Sequence, residues 1–281
     1  MILLNYLVVF IFGTIIGSFL NVVIDRLPQK ESLIKRRSHC EHCRRNLEWY
    51  DLIPIVSYLL LRGRCRYCKK TISKYYILVE FLTGCVFVLV TYLLVGQDIA
   101  RFADVRYLLA IGYYLFILSA LISIFFIDLK YGIIPFRIVF TTLLVALAWY
   151  IIFPFLQLAP VDIGYLMEDN NYFLPSVLSA VGIFGFFLML FLITRGRGLG
   201  FGDVVYVFLM GFLLGFPRIV LGIYIAFLTG AFCSIILVML RKKSIKGGTI
   251  PFGPFLTLGT AISLLWGHML IDKIMLYLVA R

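Results

Sequence analysis

Two carboxylates and four thiols are the groups in this sequence that could do chemistry. The stretch Gly198-Leu199-Gly200-Phe201-Gly202-Asp203-Val204 puts an acid where an apolar run begins. An ionisable residue at membrane depth is costly, and by default it marks a functional site. The glycines let the backbone bend and let another chain come close, because no Cβ stands in the way. Asp203 alone reads equally as a helix N-cap. Asp128 ends a second apolar run, Ile124-Phe125-Phe126-Ile127-Asp128-Leu129-Lys130, and alone it could pair with Lys130 or Arg137. Held together, two like charges cannot both ionise, so the pair can share a proton. The ionised member can then take a proton from an attacking water while the other donates to a peptide carbonyl. Which acid takes which role is not written in the sequence.

The thiols come as Cys40-Glu41-His42-Cys43 and Cys65-Arg66-Tyr67-Cys68, with 21 residues between the pairs. Two Cys-x-x-Cys knuckles at that separation suit a tetrahedral Zn²⁺ held by four thiolates, with a redox pair or incidental thiols as the alternatives. The neighbouring Arg44, Arg45, Arg64, Arg66, Lys69 and Lys70 favour thiolates. A four-Cys site has no open coordination position, so its expected role is structural. His39 and His42 read as solvated loop residues, and Cys85 and Cys233 as small core residues. Glu80, in Val79-Glu80-Phe81, falls about one and a half turns inside an apolar run. It needs either a watery cavity or a base such as Lys74.

These groups must be positioned by membrane helices. The chain has 281 residues, of which 62% are hydrophobic and only 14% charged, and its mean hydropathy is +1.02. A soluble domain is nearer a quarter charged. The expected fold class is all-α, a polytopic membrane bundle of about eight transmembrane helices with a small cytoplasmic zinc-ribbon-like loop. The candidate spans are 3–24, 75–96, 107–127, 133–155, 174–194, 204–216, 219–240 and 251–271. The organisation reads as a first helix (1–25), a four-Cys loop (26–74) and a helical bundle (75–281). No cleavable signal peptide is visible at the start. The net charge of +12 follows topology and does not imply nucleic acid. If 26–74 is cytoplasmic, the inner segments hold 21 of the 26 Lys and Arg. The loop 156–173 carries Asp162, Glu168 and Asp169 without a base. Asp128 and Asp203 then emerge at one depth on the cytoplasmic side, although the acids were not used to set that topology.

With these motifs in place, the chain resembles the type IV prepilin peptidases, a family of Gly-x-Gly-Asp membrane aspartyl proteases. Gly17-Ser18-Phe19-Leu20-Asn21-Val22 with Arg26-Leu27-Pro28 resembles the family's first span and its exit, and the Cys pairs sit in the expected loop. Asp128 with Ile134-Pro135, and Gly200-Phe201-Gly202-Asp203, look like the two catalytic motifs. Ile250-Pro251-Phe252-Gly253-Pro254-Phe255, after Lys246, resembles the last conserved stretch, so the matches run from residue 17 to about 259. The resemblance implies cleavage of a basic leader, after a glycine, from prepilins and pseudopilins at the cytoplasmic face of the bacterial inner membrane. It implies Asp128 and Asp203 as the catalytic pair. Gly200, Gly202, Glu80, Lys130, Pro251 and Gly253 would be supporting or substrate-binding residues. It further implies N-methylation of the new N-terminus with S-adenosylmethionine in many members, an activity associated with the first loop. The chain departs from the family at Phe136-Arg137, where members often carry an acid or Asn and then a polar residue.

The expected partners are a prepilin N-terminal helix and the bilayer, with no nucleic acid. A basic leader would be repelled by the loop's basic face unless Glu31, Glu41, Glu48, Asp51 or anionic lipid offsets it. The competing readings are a preflagellin- or presenilin-like protease, a non-enzymatic zinc-ribbon adaptor, and a transporter. The last should show repeats with helices broken at the midplane. Gly13-x-x-x-Gly17 permits close helix packing. Trp49-Tyr50 reads as packing within the loop, with contact to the membrane surface or a cofactor as the alternative.

Overall fold

The computed structural model describes residues 2–33, 37–155, 173–240 and 251–279. Asp162, Glu168, Asp169, the bases Arg241, Lys242, Lys243 and Lys246, and Ile250 lie outside them. The helices are α1 (Ile2–Arg26), α2 (Val56–Leu60), α3 (Lys74–Val95), α4 (Val105–Tyr131), α5 (Phe136–Phe155), α6 (Phe173–Ile193), α7 (Phe201–Leu214), α8 (Arg218–Met239) and α9 (Gly253–Val279). Among the described residues there is no strand, only two isolated bridges, His39 with Asn46 and Arg64 with Thr71. Each of the eight anticipated spans is a helix. Six of them (α1, α3, α4, α6, α8 and α9) are long and apolar enough to cross a membrane. The apolar stretch Phe136–Ile152 of α5 and the whole of α7 are shorter. This is a multi-pass helical membrane protein.

Contacts divide the chain within α4 into two compact units, Met1–Ser119 and Ala120–Arg281. In the first unit, α1 packs along α3. In a bilayer the hydrophobic effect gives helices no reason to associate, so close backbone approach must do it. Gly13 and Gly17 provide that approach. A Cβ on Gly13 would lie 2.8 Å from Gly84 Cα, and one on Gly17 would lie 2.7 Å from Glu80 Cα. Thr83 and Thr91 return their hydroxyls to the carbonyls of Val79 and Phe87, so they add no unsatisfied group. Cys85 faces outward from α3, and Cys233 is half-buried; neither is a core residue. The bilayer lets such small apolar side chains face lipid at no cost.

In the second unit α7 is the centre. Its 14 residues span only about 21 Å. Val204, Tyr206, Val207, Leu209, Met210 and Leu214 are fully buried, which covers every side of the helix. It packs on α6, α5, α9 and α8. The Tyr206 hydroxyl meets Thr260 Oγ1 on α9 at 2.8 Å, which satisfies its buried polar tip. The α8–α9 crossing is tighter still, because a Cβ on Gly259 would fall 2.2 Å from the Gly222 carbonyl oxygen. Gly259→Val should therefore lower the thermal unfolding midpoint in detergent, with a loss of about 1–3 kcal/mol from overpacking. Gly112→Ala, where a Cβ meets nothing within 4 Å, should leave the midpoint unchanged.

Candidate active site and metal centre

Three segments of the second unit converge on Asp128. The acid lies in the last turn of α4, which Gly132 ends with φ +67°, its N–H bonded to the Asp128 carbonyl at 2.8 Å. Asp203 is the third residue of α7, and its Oδ2 accepts the Gly200 N–H at 3.2 Å. An acid in the first turn of a helix also meets the positive end of the helix dipole. Gly202 lets this turn come down onto the chain that follows Asp128. A Cβ there would sit 3.1 Å from Ile134 Cβ and 3.6 Å from its backbone nitrogen. Gly253 starts α9 against Asp128, with its N–H turned to the carboxyl. A Cβ on it would lie 2.5 Å from Asp128 Oδ2 and 2.9 Å from Cγ.

The two acids, far apart in sequence, are close enough for the charge of Asp128 to act on Asp203. Asp128 is 5% exposed, and its Oδ2 is buried without a hydrogen-bond partner among the described residues. It does not turn out to the interface, where Lys130 and Arg137 are both exposed. The Lys130 ammonium lies 5.1 Å over the Tyr131 ring. Pro251 is half-buried at the entry to α9. Phe136, at the departure from the family pattern, stacks edge-on against Phe201 of the Gly-Phe-Gly-Asp motif at 6.3 Å. Sequence reasoning did not anticipate that contact, since nothing in Phe136 itself points to residue 201.

Glu80 stands in the other unit. Its Oε2 accepts the Ile55 N–H at 2.8 Å, and Ser18 also bonds to it. Its main partner is thus a loop backbone, not Lys74.

The four cysteines of the first unit form one cluster, with every pair of Sγ atoms within 4.8 Å and Cys40 and Cys68 at 3.9 Å. Four sulfurs at about 2.3 Å around a tetrahedral ion stand about 3.8 Å apart, so the donor set fits a zinc-type ion. The two knuckles share one backbone. The Cys40 carbonyl accepts from Arg44 N–H and the Cys65 carbonyl from Lys69 N–H. Cys40 N–H goes to Arg45, and Cys65 N–H to Lys70. Arg44 and Lys69 both have positive φ, 54° and 60°. The repeat is legible in sequence at an offset of 25: Cys-Glu-His-Cys-Arg-Arg-Asn-Leu against Cys-Arg-Tyr-Cys-Lys-Lys-Thr-Ile. Aligning the two pairs would have found it.

Asp51 ties the second knuckle to the turn Trp49–Leu52, through an ion pair with Arg66 at 2.7 Å. Burial pushes the Cys65 thiol up, but the backbone N–H groups of Cys68 and Tyr67, with the Cys40 and Cys68 thiols, outweigh it and bring it down to about 7. Against the pull of the Lys70 N–H, burial and the thiols of Cys65, Cys43 and Cys40 push Cys68 up to about 11. His39 and His42 are exposed and outside the cluster.

Comparison with known proteins gives the class of this helical membrane protein, a membrane peptidase, and its family. Residues 11–94 match the bacterial peptidase A24 N-terminal domain, and residues 115–235 match the type IV leader peptidase family. A prepilin leader peptidase/N-methyltransferase of Aeromonas hydrophila is 31% identical, over 94% of this chain and 91% of its own. The Bacillus subtilis protein of the same name is 30% identical over 94% and 96%, and the Myxococcus xanthus one 34% over 84% and 64%. No solved structure matches the chain. The chain belongs to the type IV leader peptidase family.

Because Gly253 seats Asp128, Gly253→Ala should cut peptidase turnover tenfold or more, an effect of about 1.4 kcal/mol or larger. The thermal midpoint should move little, since the clash is with one side chain. Gly202→Ala, whose clash is milder, should cost less in the same assay.

Proposed function

We propose that this protein removes the basic leader from prepilins and pseudopilins, cutting after a glycine, with Asp128 and Asp203 as the catalytic pair. The observation that supports this best is that two acids far apart in sequence come near enough for the charge of one to act on the other, each beside a glycine that admits close backbone approach. Water held between the carboxyls loses a proton to the ionised one as it attacks the scissile carbonyl. The protonated carboxyl donates to the carbonyl oxygen, and the tetrahedral intermediate collapses with a proton passing to the leaving amine. The substrate's apolar helix reaches the site through the bilayer, and a glycine at the scissile bond unwinds cheaply.

On this reading the pair and the cysteine segment face the cytoplasm of a bacterial inner membrane, as the distribution of Lys and Arg indicates. Residues 26–74 form a metal-held segment with Cys40, Cys43, Cys65 and Cys68 on a structural Zn²⁺. When bound, the ion supplies a fold that so small a loop could not hold by its own apolar core. The relatives' name also supports transfer of a methyl group from S-adenosylmethionine to the new N-terminus.

Asp128→Asn and Asp203→Asn should each lower leader cleavage by at least about a thousandfold while the protein still inserts and purifies. Full cleavage by either variant would remove the assignment. The mass of the mature N-terminal fragment, after incubation with S-adenosylmethionine, reports methylation separately. Purified protein should carry about one zinc per chain by elemental analysis, and Cys40→Ser or Cys65→Ser should lose most of it.

A further inference from the structure

We infer that residues 49–60 form an interfacial segment, embedded at the headgroup–acyl boundary of anionic lipid and held at that depth by Glu80. The proposal does not depend on the peptidase reading.

The depth follows from one hydrogen bond. Glu80 lies six residues after Lys74, the first residue of α3, which is about 9 Å along the helix. That helix is a membrane span, and Leu78 and Phe81 beside Glu80 face outward, exposed by 54% and 53%. The Glu80 carboxylate bonds the Ile55 N–H at 2.8 Å. The backbone of Ile55 therefore stands level with lipid-facing side chains, well below the end of the span.

The local backbone supports the same placement. Ile55 has φ +61° and ψ −51°, and Val56 N–H returns to the Pro54 carbonyl, a strained γ-turn for a β-branched residue. Such strain persists only where the surroundings impose it. Here the turn aims the N–H at Glu80 and opens α2, whose first free N–H groups would otherwise be costly at this depth. Ser57 and Leu59 bond back to Ile53 and Ile55, so the descent satisfies its own polar groups.

The side chains say what the segment rests in. Trp49, Leu59 and Leu60 are 75%, 62% and 78% exposed. Trp49 does not pack inside the loop, the reading its sequence context favoured; its ring partner among the described residues is the edge of exposed Tyr50. A small metal-held module facing water would not present such a face. The Ile55–Glu80 bond ties this segment to α3, and Trp beside aliphatic residues is the composition of a membrane interface. Arg62 and Arg64, which directly follow, are exposed and have no carboxylate partner among the described residues. That arrangement fits an anionic surface.

The test uses the whole protein in liposomes. The untouched chain is reconstituted with a photoactivatable phosphatidylglycerol or phosphatidylcholine, each carrying its reactive group high on the acyl chain. Peptides covering 49–60 should carry lipid adducts, several-fold more from the anionic lipid. Adducts on the spans with none on 49–60 would overturn the proposal and leave the apolar face for a protein partner. Equal labelling by both lipids would overturn the anionic preference.

In a second arm, Trp149→Phe with Trp266→Phe leaves Trp49 as the reporter. Bromine high on the acyl chain should quench it about twofold or more, and aqueous acrylamide should quench it little. Glu80→Ala should reverse that order, while Glu80→Gln, which keeps a carbonyl acceptor, should not. Strong acrylamide quenching in the parent, with its zinc retained, would equally overturn the proposal.

Discussion

A carboxylate inside an apolar helix cannot be left to itself, and this protein resolves that constraint in two ways. Glu80 is given a backbone N–H and a hydroxyl, and so becomes a fastener for the loop above it. Asp128 is given another acid and the bare backbone at the start of α9, with one oxygen left without a partner among the described residues. An unsatisfied buried oxygen is expensive, and such groups cluster where chemistry is done. The same physical cost is thus met by hydrogen bonds at Glu80 and left partly unmet at Asp128.

Glycine is the means in both units. At Gly13 and Gly17 it brings two spans to backbone contact, and at Gly222 and Gly259 it does so again. At Gly202 and Gly253 it brings backbone to the acids. Lipid offers no hydrophobic drive for helices to associate, so the attraction must come from packing at short range. A bundle built this way has little slack where the glycines cross, and that precision suits the proposed site, whose two carboxyls would share one proton.

The cysteine segment follows a different logic. It is small, mostly polar and basic, and it takes its order from two equivalent knuckles around one candidate ion, with Asp51 and Arg66 bracing the second. Duplicating one backbone turn gives four sulfurs in near-tetrahedral spacing without a large core. The turn at Ile55 then links that order to α3 through Glu80.

Much was legible in the sequence because its signals are local or compositional. Apolar runs of about 20 residues announce helices, and the four Cys at fixed spacing announce a cluster that could hold a metal ion. Asp128 and Asp203 stand out as charges where charge is costly. The knuckle repeat was legible too, but only to a comparison of the two cysteine pairs. The tertiary structure alone decided what each acid faces. Nothing local in Glu80 names Ile55 as its partner in place of Lys74, and nothing in Phe136 names Phe201. Whether α7 lies at the rim or the centre of its unit also turns on packing from four other helices. Periodicity cannot show this, because a helix apolar on every side reads alike whether lipid or protein surrounds it. Sequence sets which groups are costly to bury; only the fold sets which neighbours meet that cost.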